Sequence, residues 1–578
     1  MPVIRHIRRR LADERGVTMV TVMLTMFIVM AGSAAALTAS GGDLGLAAND
    51  DRGKRAYEAA EAGLHDYLFH LNQNNAYWTL CDNVPAPAKV SQAWNGTGTD
   101  PRNSKWRKVP GSTAEYAIEV LPAPGKTSCD TSNAQTSMID SQGMFRIRAT
   151  GRVPRAGGYN KRSIVAAFRR RGFIDYLWYT DLETYDAGMY ELQTRGRATR
   201  GHPTATSSTL LQWAASSCAR YYRPTTSGGT DGRGSQRWSQ ADGDSSNDGQ
   251  ILWPTSGGGT SWQSWPNRND DDVFQKCTEI QFAPGDVVKG PLHTNDELMV
   301  CGSPQFGRTA QDRIEVSAPP RTGFTGWRDT SGCDADPNFV GTFTNNSPIL
   351  AMPPTNTKLK VLADPSYVYT GRTTIVLNAG NVTINGVARP YPPNGIIYVQ
   401  NGDCGATTRP LAPLSTPTGC GDAYVQGSYG TDLTIATEND ILITEDIIKS
   451  GDRMLGLIAN NYIRIHHPVK NFDSDSLDCD NNNALGNVEI DAAILSLNRS
   501  FTVDYYYCGS ALGTLSVDGA LAQKYRGPVG QGGSSISNGY LKDYEYDDRL
   551  AYRSPPHFLD PVQSAWRLVR QTEQTPAR

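Results

Sequence analysis

The sequence lacks any strong excess of charge. Its 55 lysines and arginines stand against 58 aspartates and glutamates, for a net charge of −3. No global basic field is present to recruit nucleic acid, and none is expected as a partner. Histidine is scarce, at 8, and none of the 10 cysteines belongs to a C-x-x-C pair, which argues against a zinc site. The G-x-S-x-G, H-E-x-x-H and P-loop spacings are absent, so no nucleophile, metalloprotease or nucleotide site is legible. No catalytic, cofactor-binding or metal residue is assigned, and a non-enzymatic role is expected. Cysteine is missing before residue 81, proline is missing from 17–83, and charge is missing from 17–40.

Those last absences define the N-terminus. Residues 1–16, MPVIRHIRRRLADERG, carry five arginines and read as a cytoplasmic leader. The uncharged run 17–40 has the length that a bilayer core requires, and the positive-inside rule keeps its arginine-rich flank in the cytoplasm. This predicts a single-pass membrane protein whose body is extracellular. Ala34, Ala35 and Ala36 offer a signal-peptidase cut as the alternative. Beyond the run, DRGKRAYEAAEAGLHDYLFHLNQNN places Tyr57, Ala60, Leu64, Leu68 and Leu71 on one helical face. Alanine, glutamate and leucine favour one long helix over 17–75.

The basic leader, Gly16, the apolar start at Val17 and the AYEAAEAGL stretch at 56–64 resemble the N-terminus of type IV pilin-like proteins. The match is nearest to the PilX-like minor pilin type and covers about the first 75 residues. The resemblance implies a prepilin peptidase cutting after Gly16, with Val17 as the new first residue. It also implies other pilin-like subunits and the pilus assembly machinery as partners, and location at the cell surface or on a pilus after assembly. Tyr57, Ala60, Leu64, Leu68 and Leu71 become filament-packing residues. Thr21 stands where shaft pilins carry a glutamate that neutralises a neighbour's N-terminal amine. A subunit lacking that carboxylate fits a filament tip better than a repeated shaft.

The rest reads as mainly β. Period-two alternation at 115–120, 144–150 and 162–168 predicts a small antiparallel β head over 76–185. Residues 186–275 are rich in Ser, Gly, Thr and Asp and read as surface loops. Over 276–545, aliphatic and β-branched runs alternate with Gly, Asn and Asp, and a C-terminal tail occupies 546–578. The expected class is therefore α+β, mainly β: a long helix, a small sheet, then a right-handed parallel β-solenoid, with a β-sandwich as the alternative.

The cysteines point to an oxidising compartment. Sequential pairing gives Cys81–Cys129, Cys218–Cys277, Cys301–Cys333, Cys404–Cys420 and Cys479–Cys508. A solenoid raises a second function, a carbohydrate-active enzyme, yet no site supports it. Asp473, Asp475, Asp478 and Asp480 crowd one loop as calcium candidates, without the spacing of an EF-hand. His466 and His467 are adjacent on a strand and point to opposite faces. The favoured reading is a minor pilin or pseudopilin-like surface protein, with a large adhesive or scaffold body that takes a carbohydrate or protein ligand.

Overall fold

The computed structural model describes residues 17–74, 77–79, 106–126, 137–141, 143–186, 251–254, 260–263, 280–317, 326–329, 334–405, 417–472, 479–532, 536–562 and 566–577. The chain divides into two units. The first comprises Met1–Met138, Phe145–Phe168 and Leu568–Arg578, and the second Ile139–Met144 and Arg169–Arg567.

The first unit is built on one helix, α1 (Val17–Gln73), of 57 residues. With no proline to remove a hydrogen bond, the helix runs unbroken. Its C-terminal half buries Ala56, Ala59, Ala60, Leu64, Tyr67 and Leu71, a stripe at the helical repeat. The stripe belongs with a five-stranded antiparallel sheet: β1 (Arg107–Lys108), β2 (Glu115–Leu121), β3 (Met144–Arg155), β4 (Gly158–Arg170) and the C-terminal strand Trp566–Gln574. A two-residue turn joins β3 to β4, and Gly157 takes its positive φ of 78° at no steric cost. Gly151 marks the closest approach of helix and sheet, since a Cβ there would overlap the backbone of Ala56.

Among the described residues, the regular structure of the second unit is mostly strand. Its core column is formed by β5 (Trp178–Tyr185), β6 (Leu292–Thr294), β7 (Arg313–Val316), β8 (Thr342–Thr344), β9 (Val368–Thr370), β10 (Ile396–Gln400), β11 (Leu433–Thr437), β12 (Leu455–Ala459), β13 (Val488–Ser496), β14 (Ala511–Arg526) and β15 (Ile536–Tyr546). Parallel pairing carries one apolar row through nine of them: Ile397, Ile435, Leu457, Ile494, Leu521, Trp178, Leu292, Ile314 and Phe343. Strands covered on both faces need no polar alternation, which is why runs such as Ile396–Gln400 and Leu455–Ala459 are almost continuously apolar.

The expected fold class is corrected here. Strand dominates, so the class is mainly β rather than α+β. The body is not a solenoid wound in chain order, because β5 is inserted between β14 and β6. Among the described residues, nineteen strands join into one network that closes on itself, which is not the arrangement of two packed sheets in a sandwich. The physical reason is pairing between segments more than 300 residues apart, which leaves no local trace in sequence. The localisation is corrected too. Among the described residues, no helix is long and apolar enough to cross a membrane. Thr18, Thr21, Thr25, Gly32 and Ser33 dilute the run at 17–40, and charge returns at Asp43. The single-pass assignment therefore falls.

Candidate functional site

The two halves of α1 differ in what they touch. The C-terminal half is committed to its own unit. Ala60, Leu64 and Leu71 are buried there, while Tyr57 and Leu68 are half-buried. Tyr67 anchors an aromatic cluster with Tyr77 at 5.3 Å and Phe145 at 6.2 Å, and burial pushes its phenol well above the ordinary range. The Tyr57 hydroxyl accepts from Gln571 Nε2 at 3.3 Å.

The N-terminal half is different. From Met19 to Met30 every described large apolar side chain is exposed, with Phe27 at 70% and Met19 at 68%. Met19, Met23, Met26 and Met30, spaced at the helical repeat, form a deformable apolar face together with Phe27. Thr21 is exposed among them, and its carbonyl accepts from the Thr25 hydroxyl at 2.9 Å. By composition alone the run is one apolar block. The methionine spacing is the signal that picks out its face.

The second unit holds its charges inside. Arg464 is buried, with Asp504 at 2.8 Å and Asp440 at 3.2 Å. Burial raises the Asp440 carboxyl, against the pull of Arg464. Asp422, Asn439 and Asn461 continue the same corner as a ladder, Asn461 Nδ2 donating to Asn439 Oδ1 at 2.7 Å. These groups pair with one another as a structural arrangement, although Arg464 Nε and Asp504 Oδ2 are buried without a hydrogen bond. An open cleft of about 520 Å³ is lined by Lys449, Glu489, Asp518, Asp543, Glu545 and Arg549 among others. Its cations are already engaged, Lys449 with Asp491 and Asp518, and Arg549 with Asp547 and Asp452.

Two disulfides join described cysteines, Cys404–Cys420 with Cα atoms 4.3 Å apart and Cys479–Cys508 with Cα atoms 5.1 Å apart. Cys301 is also disulfide-bonded. Cys81, Cys129, Cys218, Cys277 and Cys333 lie outside the described residues, as do Gly16, Asp473, Asp475 and Asp478. Asp480 accepts from Asn471 Nδ2 at 2.8 Å. Among the described residues no three His, Cys, Asp or Glu side chains converge on a metal position. His467 is buried between the Asp504 carbonyl and Asn481, whereas His466 is half-buried.

No family model matches the chain, and no curated protein matches it. Among solved structures it is similar to the crystal structure of the competence-associated pilin ComZ from Thermus thermophilus. That similarity is 10% in identity, covers 91% of this chain and 98% of that one, and has a TM-score of 0.25. It is a weak likeness. At that TM-score it carries no argument, and the functional reading rests on the chain's own residues.

Proposed function

We propose that the chain is a non-enzymatic, PilX-like minor pilin subunit of a type IV pilus-like filament. It acts at low copy, as a tip or initiating subunit, and presents its strand-rich unit as an adhesive or scaffold body. A prepilin peptidase cuts after Gly16. One observation carries the reading: α1 buries its C-terminal half in its own unit and leaves Met19–Met30 uncovered. An apolar helix face of this length is stabilised by packing against like helices of neighbouring subunits, at about 25 cal/mol per Å² removed from water.

Two further features support the tip. Thr21 supplies no carboxylate for a neighbour's amine, and the body after α1 is far larger than a head repeated at short rise. Immunogold labelling of sheared filaments tests the proposal. Label at filament ends is expected, and regular label along the shaft would sink it. Phe27→Asp combined with Met23→Asp should remove the label altogether. The soluble signature of folding should stay unchanged, because both side chains are exposed in the subunit.

A further inference from the structure

Three aspartates and one arginine meet where successive strands of the second unit turn. Ala423 pairs with Ile441 and Ile441 with Ile463, so Asp422, Asp440 and Tyr462, one residue earlier on each strand, stack at one corner. Ile463 pairs in turn with Phe501, which sets Arg464 beside Thr502 and brings Asp504 into reach. Parallel neighbours lie about 4.8 Å apart, close enough for side chains stacked in this way to interact. Asp422, Asp440, Arg464 and Asp504 are all buried.

The arginine is shared unequally. Its Nη1 donates to Asp504 Oδ1 at 2.8 Å, a hydrogen bond between two charged groups. Towards Asp440 it presents Nε, 3.2 Å from Oδ2, and that N–H makes no hydrogen bond. Asp440 Oδ1 accepts from the Tyr462 amide at 3.0 Å. Asp422 Oδ1 accepts from Asn439 Nδ2 and from the Asp440 amide. Asp504 Oδ2 faces His466 Nδ1 at 3.7 Å, and neither atom has a hydrogen bond. Among the described residues two tyrosines complete the surroundings. Arg372 lies 5.4 Å over the Tyr424 ring, and Arg499, paired with Asp186 at 3.3 Å, lies 5.9 Å over the Tyr462 ring.

Asp440 and Asp504 thus compete for one guanidinium, and Asp504 holds the better geometry. A buried carboxylate is costly unless it is paired and hydrogen-bonded, and the group with the poorer contact relieves that cost by taking a proton. The Asp440 carboxyl is accordingly pushed up to about 7. Burial is the main cause, Arg464 opposes it, and the charges of Asp422 and Asp504 add to the rise.

We propose that this corner is an acid-tightened latch, in which Asp440 takes up a proton on mild acidification and firms the join between three successive strands, Ala423–Tyr429, Ile441–Lys449 and Ile463–Ile465. The proton removes one buried negative charge and leaves Arg464 to Asp504. The sign follows from the folded chain holding this proton more tightly than the unfolded chain does. Above the raised value Asp440 is ionised and costs stability, and that cost is relieved as pH falls towards the ordinary carboxyl range. The latch acts within the second unit, independently of any filament role.

Amide hydrogen exchange of the full chain tests this, read by mass spectrometry on peptides covering Ile441–Lys449 and Ile463–Ile465. Wild type is compared with Asp440→Asn, which resembles the protonated side chain in shape and charge, at about pH 8 and about pH 5. Groups that titrate elsewhere are common to both proteins and cancel. At the higher pH the variant should exchange more slowly by about tenfold or more, since each unit of raised proton affinity is a factor of ten. At the lower pH the two should coincide. Equal exchange at the higher pH, faster exchange in the variant, or a difference that persists at the lower pH overturns the proposal. If the variant fails to fold, wild type decides alone. Its protection in these peptides, corrected for the intrinsic exchange rate, should rise on acidification, and constant or falling protection overturns the latch.

Discussion

Glu315 shows how one buried carboxylate couples this protein to acid. Burial by itself would raise its pKa. Hydrogen bonds from His293 and from the Tyr176 hydroxyl at 2.6 Å, with the charge of Arg313 at 3.1 Å, overcome that and hold it at about 2. A carboxyl depressed from its ordinary 4.5 stabilises the fold fully above that pH, and the contribution is lost as pH falls towards 2. The shift corresponds to about 3 kcal/mol. Glu315→Gln should therefore lower stability near neutrality by about 2–3 kcal/mol and flatten its pH dependence between the two values. Denaturant titrations at several pH values check this, and an unchanged acid slope would count against the assignment. The same group explains a limit of sequence reading. Glu315 lies next to Tyr176 and His293 only after β5 and β6 have come together, so nothing in its own neighbourhood marks it.

At the scale of elements, what was legible is what is local. The extent of α1 follows from propensity and the absence of proline, and the alternating runs at 115–120, 144–150 and 162–168 lie within β2, β3 and β4. The Asn385-Gly386 turn is local in the same sense, with φ of 51° and 79° in a tight hairpin. What failed was tertiary. Strand β5 carries no alternation that distinguishes a head strand from a body strand, because it is buried on both faces. The helix face at Met19–Met30 looked like a membrane span for the same reason: apolar content is visible in sequence, and the surface it meets is not. The disulfide Cys404–Cys420 belongs to this scale too, as it closes a separation of 16 residues beside strand β10. Replacing both cysteines with serine should cost about 3 kcal/mol by the loop-closure argument. The change should appear as a lower thermal midpoint, and an unaltered midpoint would mean that the flanking hydrogen bonds hold the loop unaided.

For the whole molecule, the order of stacking matters more than the number of strands. Strand β5 must wait for β14, since Leu521, Ala522 and Gln523 are the partners of Trp178, Tyr179 and Thr180. Until then its edge is unpaired, and unpaired edges invite association with other chains. A chain ending at residue 500 should consequently aggregate or bind a hydrophobic dye, and a well-dispersed monomer would show that β6 alone suffices to shelter β5. The arrangement also has a mechanical side. Tension applied through the polypeptide that leads from β4 into the second unit enters at β5, which is flanked on both sides by parallel partners in register. Pulling along such a strand loads its hydrogen bonds in shear, together rather than one after another. Resistance to force is set by the rate of unfolding rather than by equilibrium stability, so a strand clasped from two sides should yield to pulling only slowly.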